Sequence, residues 1–424
     1  GSVTRLVTRA GEDGVEISNT GDQSGIDLSA GTEDDVVTVE TTGTESLASI
    51  RMAGGDDIFN VRGTGSQSLT YVYTGLDNDT VNVSSDANGS LIDRDGSLSG
   101  NLDGILGELC LSTNSDNAPP QNVESVSAKT ETITVSLRSG DSLNISDRSS
   151  DTDNAYELQP NQFRRIGDAP IIFDSVETLT IQTGSGGDTF DVIGTATRTT
   201  TRIQTHESGD SVLIGTTGDE SILTLDSGSG DDVVTLADTG ESSATVLTTA
   251  EENDDVIING SGEGSGLRVV TEGGVDRVDM SNVGFDSINM IETGSGGDII
   301  NVRATASESV TDVFAGDGND TINISSDADG DRTSPSGDPA GNLDGLLGEL
   351  CIYGDDHDPT PVNSANVDAK GNSVAVSIPR GDELNISDQA SMANHDYVID
   401  VTEVIRVGGP TVIYQSIESL NVET

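Results

Sequence analysis

Gly184-Ser-Gly-Gly-Asp188-Thr-Phe-Asp-Val192 and Gly316-Asp-Gly-Asn-Asp320-Thr-Ile-Asn-Ile324 carry the pattern that decides the fold. In each, a glycine-rich turn ends on an aspartate, and alternation of apolar and polar residues begins at once. Glycine supplies the backbone freedom of a tight turn. Period-two alternation marks a strand with one buried face. Asp13, Asp35, Asp57 and Asp79 stand 22 residues apart, and Asp188, Asp210, Asp232, Asp255, Asp276, Asp298 and Asp320 follow at intervals of 21–23. About eleven residues beyond the aspartate lies a second alternating run, as in Leu69-Thr-Tyr-Val-Tyr73 and Leu267-Arg-Val-Val270. Two short strands and two turns per 22 residues describe one coil of a solenoid. The expected fold class is therefore all-β, an elongated parallel β-solenoid of the β-helix or β-roll kind, with protruding loops.

A longer repeat encloses the short one. Asn60-Val-Arg62 recurs as Asn301-Val-Arg303, an offset of 241 (301 − 60). GNLDGILGELC ending at Cys110 returns as GNLDGLLGELC ending at Cys351, Leu143–Asp147 returns at Leu384–Asp388, and Lys129 pairs with Lys370. Residues 1–241 form the first long repeat, of about eleven coils, and 242–424 form a second, incomplete copy matching 1–183. Stretches 86–122 and 147–170, with 327–363 and 388–411, interrupt the short pattern and are expected to be loops, where recognition concentrates. Asn101–Cys110 has the nearest approach to helical spacing, and it is expected to dock on the solenoid or to form an irregular coil. Where the chain starts and stops within the long period, it resembles a fragment of a longer array, open at its C-terminal edge.

Composition alone points elsewhere. The 424 residues are 32% hydrophobic and 3% aromatic, with 74 Asp+Glu against 19 Lys+Arg and a net charge of −55. Such figures suit a disordered chain, yet the unbroken 241-residue register argues for a stacked structure. Stacked coils bury one another's apolar side chains, so few are needed per coil. The charge disfavours nucleic acid and anionic membranes as partners. No apolar run approaches a membrane-spanning length.

One aspartate per coil at a fixed place makes a ladder of carboxylates at roughly 4.8 Å spacing. Neighbouring charges would then cost about 1 kcal/mol in water and about 3–4 at an effective dielectric of 20. A hard dication bridging successive turns relieves this, and oxygen ligands favour calcium over magnesium or zinc. The candidate ligands are Asp35, Asp56, Asp57, Asp77, Asp79, Asp188, Asp231, Asp232, Asp298, Asp317 and Asp320. They are expected on one edge, Asp57 with Asp77 and Asp79, and Asp298 with Asp317 and Asp320, with weaker turns at Asp210 and Asp255. The alternative is that aspartate only shapes the turn and faces solvent.

GSGGDTFDV and GDGNDTINI resemble the haemolysin-type (RTX-like) calcium repeat, G-G-x-G-x-D followed by an apolar residue. The resemblance implies a calcium-stabilised coil. The wider pattern is similar to tandem units of very large surface and adhesin proteins of bacteria and marine microalgae. This implies a structural, rod-like segment of a giant secreted or cell-surface protein, serving as filament, adhesin stalk or matrix component. Its partners would be further copies of itself, with extracellular polysaccharide as a second class. A carbohydrate-binding module is the alternative. An enzyme is disfavoured, because the acids recur with the repeat whereas a catalytic site is normally unique. An ice-binding face is disfavoured because the threonine positions vary. Cys110 and Cys351 read as small buried residues, or as points of intermolecular linkage. Sequons such as Asn82, Asn144, Asn323 and Asn385 fall inside strands, where a glycan would clash; Asn88 is the most accessible acceptor.

Overall fold

The computed structural model describes the chain except residues 95, 97, 114–119, 139, 338–339, 355–360, 370–371 and 380, with 120–121 and 361–379 described by their backbone. It is all-β, with long parallel sheets and no helix among the described residues. Two compact units are present: residues 1–124 with 135–228, and residues 125–134 with 229–424.

In the first unit one sheet stacks Gly14–Ile17, Val36–Val39, Ile58–Val61 and Thr80–Val83, each strand parallel to the next and in 22-residue register. The second sheet stacks Val3–Val7, Gly25–Thr32, Leu47–Gly54 and Leu69–Leu76 in the same register. Side chains that point between the sheets are buried: Leu28, Val37, Ile50, Phe59 and Val72 have no exposure. The insertions lengthen the step without breaking the pairing. Thr80 pairs with Ser142, and in the second unit Thr321 pairs with Glu383; Leu69 pairs with Glu108, and Val310 with Glu349.

The two sheets exchange roles within the first unit. Up to Ser142–Ser146 the strand after each aspartate belongs to the first sheet. Next, Ala155–Gln159 and Gln162–Arg165 form an antiparallel pair, and the second of these runs antiparallel to Ile171–Asp174. Beyond it the post-aspartate strands Thr189–Val192 and Ser211–Ile214 continue from Ala155–Gln159 in the second sheet, while Thr178–Gln182, Thr200–Gln204 and Ile222–Asp226 extend the first. Tyr156, Phe163 and Phe190 fill the switch, with ring centroids 5.8–6.2 Å apart. The equivalent antiparallel pair in the second unit is Tyr397–Ile399 with Glu403–Arg406.

Parts of the loops expected to protrude lie on the sheet or join it, while Ile92 and Met392, in the same loops, are fully exposed. Gly89 donates its N–H to Asn60 Oδ1 and accepts from Asn60 Nδ2, both at 2.9 Å. Gly330 and Asn301 repeat the contact at 3.0 and 2.8 Å. These loops cap a ladder of buried asparagines, in which Asn82 donates to Asn60 and Asn144 to Asn82, and, in the second unit, Asn323 to Asn301 and Asn385 to Asn323. Amides there satisfy one another, which a glycan would prevent. Residues 114–119 and 355–360 of the expected loops lie outside the described residues, as do Lys370 and His357. Asn101–Cys110 is a turn leading into the strand Glu108–Ser112.

Successive aspartate turns approach closely. Gly296 has φ of 152°, and a Cβ built there would stand 1.5 Å from the Gly274 carbonyl oxygen. Where glycine is replaced, the backbone keeps its left-handed form: Glu272, equivalent to Gly294, has φ of 60°. The degenerate turns are therefore strained versions of the same turn. Gly296→Ala is expected to lower unfolding stability by more than about 2 kcal/mol. Glu272→Gly is expected to raise it by up to about 1 kcal/mol, the left-handed penalty less the entropy of glycine. Denaturant midpoints of the two variants, at equal m-value, check both signs.

Candidate functional site

The recurring aspartates form two kinds of row. Asp35, Asp57, Asp79, Asp188, Asp232, Asp298 and Asp320 are at most 2% exposed. Asp35, Asp57, Asp79, Asp188, Asp298 and Asp320 turn the carboxyl along the stack to accept the backbone N–H of the matching residue on the preceding turn, and Asp232 donates its own N–H to Asp254. Asp13, Asp35 and Asp57 donate to Oδ1 of Asp35, Asp57 and Asp79 at 2.8–2.9 Å, and Asp79 donates to Asp141 at 2.8 Å. Glu177 Oε2 closes the row on the N–H of Asp141 at 3.0 Å. After the sheets exchange, a new row begins with Asn154 donating to Asp188, and Asp188 donating to Asp210. The second unit continues in kind through Asp232, Asp254, Asp276, Asp298, Asp320 and Asp382, and Glu418 closes it.

Asp254, not Asp255, holds the ladder position, so the described spacing is a uniform 22 and the irregular interval vanishes. The rows also precede strands of different sheets before and after the exchange, so a single edge does not hold them all.

Asp56 is half-buried, and Asp77, Asp231 and Asp317 are exposed. Asp56 belongs to an outer row that runs in the opposite sense: its N–H donates back to Asp34 Oδ1 at 2.8 Å, and its own carboxyl accepts from Asn78 at 3.0 Å. Asp231 accepts likewise from Asn253. The expected grouping of Asp57 with Asp77 and Asp79 is thus split between a buried row and the surface, as is that of Asp298 with Asp317 and Asp320. Among the described residues no three carboxylates, imidazoles or thiols converge as a ligand set.

The second oxygen, Oδ2, of Asp35, Asp57, Asp79, Asp188, Asp254, Asp276, Asp298 and Asp320 is buried without a hydrogen bond. Thr74 and Thr249 lie beside Asp79 and Asp254 near enough to favour the carboxylate, yet are not aligned as donors. Burial dominates. It pushes Asp276 up to about 6, Asp57 and Asp298 to about 7, and Asp79 and Asp320 to about 8, against the opposing pull of backbone N–H groups. A neutral acid avoids the ladder's mutual repulsion while its carbonyl oxygen still accepts the N–H.

Two further networks and a cleft are not evident from the repeat pattern. On the opposite turn, a Thr-Gly-x-x-Ser pattern ties coils together: Thr42 Oγ1 accepts from Gly65 N–H at 2.8 Å and Ser46 Oγ donates to the Gly43 carbonyl at 2.6 Å, with Thr239, Gly262, Ser243 and Gly240 repeating it. This was legible as Thr42-Gly-x-x-Ser46 and Thr217-Gly-x-x-Ser221. Asp147, unexposed, accepts from Tyr156 at 2.7 Å, from Leu102 N–H at 2.8 Å and from Arg165 at 3.1 Å. Asp388, Tyr397, Leu343 and Arg406 repeat it 241 residues on. Burial would raise Asp388, but Tyr397, the Leu343 N–H and Arg406 outweigh it and hold the carboxyl below its ordinary value. No local pattern announces this cluster. A cleft of about 740 Å³ in the first unit is lined by Leu137, Leu158, Phe173, Glu177 and Arg198.

Cys351 is buried and Cys110 half-buried; burial raises their thiols to about 12 and about 11, so neither is an activated nucleophile. No protein-family model, curated protein or solved structure matches the chain.

Because the folded-state values lie above the ordinary 3.8, the folded chain holds more protons than the unfolded chain between about pH 4 and pH 8. Stability is then greatest below the unfolded value and falls as pH rises through that window. Asp298→Asn keeps an acceptor for Asp276 without a charge and is expected to flatten this decline. Asp298→Ala strands the Asp276 N–H and is expected to cost about 1–3 kcal/mol at every pH. Unfolding midpoints from pH 4 to 8 for the three proteins check the ranking; a wild type that gains stability towards pH 8 contradicts it.

Proposed function

We propose that the chain is a structural repeat module: a rod-like, solenoidal segment of a larger secreted or surface tandem-repeat protein, two short strands to the coil, whose task is to span distance and present its surface repeatedly. The observation that carries this reading is duplication. The Asp147–Tyr156–Arg165 cluster, the asparagine ladder and the Glu177 closure all recur 241 residues later. Duplicated polar networks suit a scaffold, where every copy carries the same load.

Cations enter at two depths. Protons suit the buried row, where each carboxyl has one oxygen already engaged. Calcium suits the outer acids Asp56, Asp77, Asp231 and Asp317, which offer hard oxygen ligands towards solvent. On this reading the resemblance to haemolysin-type repeats lies in turn design, with metal as an added stabiliser. A carbohydrate-binding module is the second reading, favoured by the first-unit cleft, whose size and mixed apolar and polar lining fit a small ligand.

Small-angle scattering is expected to show a rod, with a constant cross-section and a long-tailed distance distribution. A globular profile with a radius of gyration near about 22 Å would contradict the scaffold reading. Calcium is expected to raise the melting temperature by a few degrees over EDTA at matched ionic strength, since a ligand of the folded state alone stabilises it. Identical curves would remove calcium and leave the proton-stabilised ladder.

A further inference from the structure

The antiparallel hairpin Pro120–Ala128 with Glu131–Arg138 ends in a tip, residues 125–134, that packs within the second unit. Val126 and Ala128 are buried with Ile288 and Val310, and Ile133 and Met290 pack against them. A Cβ added to Gly266 would come within 2.8 Å of Val126, so the bare backbone of that strand is part of the fit. The tip is also tied by polar contacts. The Lys129 N–H donates to Asp312 Oδ2 at 2.5 Å, and its ammonium pairs with Glu349.

Moving each receiving residue back by 241 positions gives a face of the first unit. Gly266 becomes Gly25, Ile288 becomes Leu47, Val310 becomes Leu69, Asp312 becomes Tyr71 and Glu349 becomes Glu108. The glycine, the two aliphatic side chains and the glutamate are retained, while Tyr71 replaces the Asp312 carboxylate and Ser49 replaces Met290, and the cover is missing. Ile288 and Val310 are 4% and 6% exposed, whereas Leu47 and Leu69 are 52% and 38% exposed and Tyr71 is 44% exposed. Cys351 is buried, while its equivalent Cys110 is half-buried. The complementary hairpin also recurs. Pro361–Ala369 and Asn372–Pro379 pair antiparallel, and the sequence places Val367, Ala369 and Val374 where Val126, Ala128 and Ile133 stand. The only two lysines of this acidic sequence are Lys129, at the described tip, and Lys370, its match 241 residues on.

We propose that the Leu47–Leu69–Tyr71 face is a docking site for the hairpin of a second copy of this repeat, so that each repeat clasps the one that follows it. The proposal rests on the scaffold reading and gives it a joint. Apolar side chains at the centre supply affinity, and the lysine–Glu108 pair sets the register in a surface that otherwise repels its own kind. In a single chain the clasp forms in cis, as Lys129 does with Glu349. Between separate chains it forms head to tail, with the 361–379 hairpin on the first-unit face, which is a heterologous contact able to propagate.

Sedimentation velocity of the full chain at about 0.15 M salt, where the Debye length is about 8 Å, tests it. The wild type is expected to associate progressively with concentration. Leu69→Asp on the receiving face and Val367→Asp on the hairpin are each expected to weaken association at least about tenfold, and the double variant no further than either alone. Leu69 is half-exposed, so that variant folds; an unchanged melting curve verifies this. A second readout uses the clasp already in the chain: Val126→Asp should let a maleimide reach Cys351 as fast as Cys110. A wild type that stays monomeric to about 100 μM, association indifferent to both substitutions, or a Cys351 that stays protected in Val126→Asp would each overturn the proposal. A monomer that still scatters as a rod removes the clasp and spares the scaffold, whereas a globular profile removes the reading beneath it.

Discussion

The hydrogen bond from the backbone N–H of one turn aspartate to the carboxyl oxygen of its counterpart one coil on is the contact on which the rest depends. At a turn the chain leaves the sheet, and its N–H loses the strand partner that pairs it elsewhere. Burying that donor without an acceptor would cost about 1–3 kcal/mol per coil. The aspartate supplies the acceptor at the coil spacing, and so sets the register from which the strands on either side start. The Asp13-to-Asp141 row, the Asp188 row and the Asp232-to-Asp382 row all serve this purpose, and Glu177 and Glu418 end two of them with a longer reach. The cost is electrostatic, because the second oxygen of Asp35, Asp57, Asp79, Asp188, Asp254, Asp276, Asp298 and Asp320 is buried as well. Protonation at near-neutral pH answers it more simply than a multidentate metal, which needs six to eight oxygens around one point.

Much of the architecture was legible because stacking imposes its period on the chain. Strand positions, the 22-residue step, the 241-residue copy and the place of the aspartates follow from alternation and spacing. The direction of the carboxyls did not. A turn aspartate facing solvent and one facing along the stack are written with the same letter, and only the identity of the neighbouring donor tells them apart. Asp57 and Asp56 are adjacent and acidic, yet one accepts from the coil before it and the other from the coil after it. Asp254 and Asp255 are likewise adjacent, and the uniform 22-residue step from Asp232 and to Asp276, together with the pairing, selects Asp254.

The exchange of sheets was hidden because each half of the long repeat keeps the same local pattern. What changes is which stack a strand joins, a non-local choice made by the antiparallel detour from Ala155 to Asp174 and by the aromatic cluster it buries. The hairpin at 120–138 was equally invisible as a functional element. Its strands alternate like any others, and its importance comes from the exposed leucines at the matching place in the first copy. Which copy of the repeat a residue belongs to, more than its type or its place within the repeat, separates a buried contact from an open one here.

Residue-resolved amide hydrogen exchange tests the ladder most directly. The account predicts that the turn amides of Asp35, Asp57, Asp254, Asp276 and Asp298 exchange as slowly as core strand amides such as that of Val61, and far more slowly than the nearby amide of Asp77. Exchange of the ladder amides at the pace of an open turn, while the strands stay protected, would contradict it.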